Sequence, residues 1–71
     1  MKLSNCQNNT HYTIKEVIEC DFDCKLMEYG IIPGANILVI NKAPFNGPVY
    51  LSIGSQRIAI RKEEASYIVL E

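Results

Sequence analysis

Cys20 and Cys24 come nearest to a reaction centre in this chain, spaced C-x-x-x-C with Asp21 and Asp23 between them. Thiolates at that separation are used to hold zinc, and Cys6 with His11 would complete four ligands if the N-terminal segment folded across. Fe(II) or Zn(II) would then be the cation. The alternative reads Cys24 as a small buried hydrophobe and Cys20 as a loop residue, because free cysteine packs as an apolar group. No second C-x-x-C and no histidine pair supports the metal reading. Other chemistries have less behind them. His11 is the only histidine and stands in a polar stretch, so Ser-His-Asp catalysis lacks a supported base. The pairs Asp21/Asp23 and Glu63/Glu64 stand where helices would begin, and acids there meet the positive dipole end and free N–H groups. The chain carries no phosphate loop, no G-x-S-x-G and no H-E-x-x-H. The inventory argues against an enzyme.

Large apolar residues at exposed positions suit recognition better than catalysis. Tyr29 is expected at a helix end, Phe45 at a loop tip and Tyr50 on the outward face of a strand, where such groups mark docking surfaces. Leu26 on the helix and Pro44 beside Phe45 complete the candidate partner-binding set. The competing reading folds Phe45 back over a barrel end and leaves the tyrosines as amphipathic edge residues.

The elements that must position these groups are short. The chain has 71 residues, 48% of them apolar, which allows one domain spanning 1–71. A domain of this size buries only about 60% of the surface its unfolded chain exposes. The longest apolar runs are four residues, Ile37 to Ile40 and Tyr67 to Leu70, against the ~20 a spanning helix needs. Seven Lys and Arg against eight Asp and Glu give a net charge of −1. The one basic cluster, Arg57, Arg61 and Lys62, runs straight into Glu63 and Glu64, which argues against a nucleic-acid partner. Three cysteines without a secretory leader point to a reducing cytoplasm.

Residues 1–10 are polar and Asn-rich and are expected to be loosely ordered apart from Leu3. Tyr12 to Ile18 reads as a first strand whose adjacent Val17 and Ile18 call for a bulge near Glu16. Asp21 and Asp23 offer caps for a helix over Cys24–Tyr29, ended by Gly30 at positive φ with Ile31 as its apolar contact. Ile32-Pro33-Gly34-Ala35 has the residues of a type II turn. The run in Asn36–Asn41 suits a strand buried on both faces, as in a small closed barrel. Ala43–Pro48 is a loop, Val49–Ile53 and Ile58–Ile60 form a hairpin, Lys62–Ser66 a helical turn and Tyr67–Leu70 a closing strand. Five short strands, one helix after the first and a helical turn before the last make a mainly β, small SH3-like barrel. Its edge strands leave room for a homodimer.

At Leu26-Met27-Glu28-Tyr29-Gly30-Ile31-Ile32-Pro33-Gly34 the chain resembles the FeoA family, the small accessory of ferrous iron transport. The resemblance continues through Lys42-Ala43-Pro44-Phe45-Asn46-Gly47-Pro48-Val49 and closes at Arg57-Ile58-Ala59-Ile60-Arg61-Lys62-Glu63-Glu64-Ala65. It covers roughly residues 12–71. Thr10-His11 replaces a glycine usual before the first strand, and Tyr29 stands where the family more often has Leu. The resemblance implies an SH3-like barrel, without catalysis, that docks on the FeoB membrane GTPase at the inner face of the cell membrane. It brings no shared catalytic or metal set with it. A second reading makes the chain a metal-responsive regulatory domain with a Cys20/Cys24 site, similar to the C-terminal SH3-like domain of iron-dependent repressors.

Overall fold

A computed structural model describes residues 1–19, 21 and 23–71, with Asp23 and Cys24 described through their backbone. A 3₁₀ turn at Leu3–Asn5 precedes β1 (Thr10–Val17), α1 (Asp23–Glu28), β2 (Asn36–Lys42), β3 (Val49–Ile53), β4 (Gln56–Ile60), α2 (Lys62–Ala65) and β5 (Ile68–Leu70). Among the described residues the strands form one antiparallel sheet in the order β4-β3-β2-β1-β5. This is the expected mainly β, SH3-like architecture.

Two bulges keep apolar side chains on the inner face. β1 is in register with β5 at Ile14↔Leu70 and again at Glu16↔Val69, so Lys15 is an extra residue. Side chains alternate along a strand, and one inserted residue reverses the alternation beyond it. Glu16 therefore turns outward and Val17 turns in, against the core. β2 shifts against β3 between Val39 and Asn41, which leaves Ile40 as the extra residue. Ile37 and Val39 are buried while Leu38 and Ile40 are only half-buried, so the run is fully covered on one face rather than on two. β2 lies centrally in the sheet, between β3 and β1.

The connection from α1 to β2 follows the backbone chemistry of its residues. The Gly30 N–H donates to the Met27 carbonyl (2.9 Å) and the Ile31 N–H to the Leu26 carbonyl (3.0 Å), a Schellman closure with Gly30 at φ +87°. Ile31 is buried beside it. The Ala35 N–H then donates to the Ile32 carbonyl (3.1 Å) with Gly34 at φ +90°, which is the type II turn.

Residues 1–10 depart from the loose segment expected of them. Lys2 bridges to Val69, and the Leu70 N–H donates to the Met1 carbonyl (2.6 Å). Leu3 and Cys6 both lie in the core. Burial pushes the Cys6 thiol up from its ordinary pKa, with the Lys42 charge partly opposing it, so Cys6 is held as a neutral apolar filler. The polar residues are also used. Asn8 Oδ1 accepts from the Lys42 N–H (3.0 Å) and Asn8 Nδ2 donates to Asn41 Oδ1 (3.3 Å), next to the β2 bulge where strand pairing is interrupted. Side-chain amides satisfying irregular backbone are what an Asn-rich sequence supplies.

α2 is tied to α1 through a buried acid. Glu64 is 2% exposed; its Oε1 accepts from the Arg61 N–H (3.0 Å) at the helix start, and its Oε2 lies 3.2 Å from Lys25 Nζ. Among the described residues that ion pair is the one polar contact of the Oε2 atom, whose alignment with the ammonium falls short of a hydrogen bond. Lys25→Met is expected to cost about 1–2 kcal/mol, because it leaves a buried carboxylate oxygen unpaired. In a domain this small that lowers Tm by roughly 5–15 °C, while Lys25→Arg should retain most of the stability. Thermal melts of the two variants check this.

Candidate functional site

The five residues expected to bind a partner separate into three groups. Leu26 leaves the set: it is 0% exposed and part of the core. α1 turns Leu26 inward, and the apolar residue it presents to solvent is its neighbour Met27, 63% exposed. Tyr29 is half-buried and packs on the core beside Gly30. Ile32, in the turn that follows, is also exposed. Met27 and Ile32 were not singled out by the sequence; which face a two-turn helix docks with is settled by its partner surface.

Tyr50 is 42% exposed and lines a shallow surface recess with Arg57 and Ala59 on the outer face of β3 and β4. Its position on the outward face matches the alternation of β3. Tyr50→Ser is expected to leave stability within about 0.5 kcal/mol, as for other surface substitutions; a loss of several kcal/mol in denaturant unfolding would mark it as a core residue.

Pro44 and Phe45 form the tip of the β2–β3 connection, where Phe45 is 98% exposed. This excludes the reading in which the ring folds back over the barrel end. The tip is a tight turn: the Gly47 N–H donates to the Pro44 carbonyl (3.1 Å), and the Ala43 N–H to the Pro48 carbonyl (2.9 Å). Phe45 and Asn46 have φ of +59° and +60°, the signature of a type I′ turn. The positions usually given to Asn-Gly are thus held by Phe-Asn, one residue earlier than the Asn46-Gly47 pair would place them. Gly47 is needed for close approach, since a Cβ there would stand 2.6 Å from the Ala43 Cβ. Lys62 Nζ donates to Asn46 Oδ1 (2.6 Å) and fastens the turn to α2.

The tip and the α1 patch are not one surface. Gly30 is next to Ile53, a Cβ there being 3.6 Å from its Cδ1, at the end of β3. Phe45 leads into the other end at Val49. Four residue steps of strand separate these ends, about 13 Å.

The metal expectation is not assembled among the described residues, where no group of three or more His, Cys, Asp or Glu converges. Cys6 is in the core and His11 is exposed on β1. Cys20 and the side chain of Cys24 lie outside the described residues, as does the capping expected of Asp23. Among the described residues no helix is long and apolar enough to cross a membrane.

The family model for the FeoA domain matches residues 1–71. The chain belongs to the FeoA family. It is 33% identical to the iron(II) transport protein A of Clostridium thermocellum, with a TM-score of 0.90; the match covers 100% of this chain and 44% of that one. The FeoA of Stenotrophomonas maltophilia, solved in complex with zinc and described as an SH3 domain protein, is 25% identical with a TM-score of 0.87, covering 100% and 89%. ScaR with bound Zn²⁺ has a TM-score of 0.89 at 21% identity over 100% of this chain and 36% of that one, a likeness of fold alone. No curated protein sequence matches this chain. FeoA membership associates the protein with ferrous iron transport through a small SH3-like accessory domain.

Proposed function

We propose that this FeoA protein is a non-enzymatic cytoplasmic accessory that docks on the FeoB membrane Fe(II) transporter and modulates its GTPase activity or its assembly. The observation that carries the reading is an apolar side chain presented to solvent on a strained, tightly bonded turn, in a family tied to ferrous iron transport. Large aromatic groups presented to solvent favour association, because binding removes their apolar area from water. The absence of any nucleophile–base pair in the sequence supports a role without catalysis.

The test is binding of the full chain to a full-length FeoB transporter in nanodiscs, with GTP, with GDP and without nucleotide. Saturable binding in at least one state, with a change in GTP hydrolysis or in transporter oligomer size, is expected. No binding in any of the three overturns the reading.

A further inference from the structure

The β2–β3 turn sets a strained, exposed aromatic residue on a tightly bonded backbone. Its central residue is a phenylalanine in the left-handed region, where a Cβ crowds the following carbonyl and where Asn or Gly is ordinarily found. The ring recovers nothing from that strain inside the protein, being 98% exposed. The turn is also held from several sides: by the Gly47–Pro44 and Ala43–Pro48 hydrogen bonds, by Lys62 on Asn46, and by the close seating of Gly47 on Ala43. Strain that persists because its surroundings over-determine it is characteristic of ligand clamps and binding sites.

The flank of the tip is cationic in a chain whose net charge is −1. Lys42, Lys62 and Arg61 line the two recesses that border Asn46 and Gly47, against Glu63 as the one acid there. The exposed Arg61 and Lys62 and the half-buried Lys42, beside an aromatic ring open to solvent, suit a surface of opposite charge around an apolar hole.

We propose that the tip is a preorganised plug: Phe45 enters an apolar socket on a protein partner, and Lys42, Arg61 and Lys62 face carboxylates on its rim. The inference rests on the docking reading above and assigns the contact to this turn in place of the Met27–Ile32 patch or the Tyr50 recess. A protein socket fits better than a lipid surface, because one aromatic ring and a few cations are a weak anchor for a bilayer, whereas one buried aromatic commonly dominates a protein interface.

Phe45→Asn separates function from folding, since Asn suits the left-handed position and retains the turn. Its Tm should equal or exceed that of the parent chain. Its affinity for full-length FeoB in nanodiscs should fall at least tenfold, whereas Phe45→Leu should stay within a few-fold of the parent. Binding by the parent should also weaken several-fold between about 50 and 500 mM NaCl, as rim charges are screened. Equal affinity of Phe45→Asn and the parent overturns the plug and leaves the docking reading standing. Absence of binding by the parent overturns both. Binding of the parent to transporter-free phosphatidylglycerol nanodiscs, lost in Phe45→Asn, would replace the protein socket with a lipid surface.

Discussion

Leu3→Ala is expected to lower the unfolding free energy by about 3 kcal/mol and Tm by roughly 12–24 °C. Leu3 is 0% exposed in a 3₁₀ turn that packs against α2 and β5, so the shortened side chain leaves a cavity the neighbouring elements cannot fill by collapse. The effect is large because small domains have little stability in reserve. Urea unfolding followed by circular dichroism measures it. A loss below about 1 kcal/mol would mean that the N-terminal segment is detached in solution, since surface substitutions cost no more than that.

Leu26→Ala is expected to cost a similar 2–5 kcal/mol, with partner affinity unchanged at temperatures where the variant is folded. Leu26 is buried and accepts at its carbonyl the hydrogen bond that closes α1. The comparison with Phe45 is the informative one: a core residue moves stability and spares binding, and a docking residue does the reverse. If Leu26→Ala abolished binding while remaining fully folded and as stable as the parent, its assignment to the core would be wrong.

The local signals were legible because they are short-range. Gly30, Pro33 and Gly34 dictate their turns through φ preferences that act within four residues, and both turns form as expected. The β1 bulge was visible as a break in alternation at Val17-Ile18, and it falls at Lys15, next to the expected Glu16. The site was less legible. Tyr50 faces outward by the alternation of β3, but Leu26 and Met27 are adjacent on a two-turn helix, and either could have faced the core until the barrel supplied a surface. Phe45 left two readings open, since an exposed tip and a folded-back lid have the same sequence.

By itself the sequence determined the architecture and the family of this protein. Strand alternation, turn residues and ordered motifs are carried by neighbouring residues and need no tertiary context. Only the tertiary structure decided that the N-terminal segment bridges to β5 and sends Leu3 and Cys6 into the core, that Leu26 belongs to the core, and that Phe45 stands free on a strained turn. The N-terminal segment and the turn depend on contacts between residues distant in the chain: Lys2 with Val69, Asn8 with Lys42, and Lys62 with Asn46. Such contacts form only when the whole sheet has set the register, and local propensity carries no record of them.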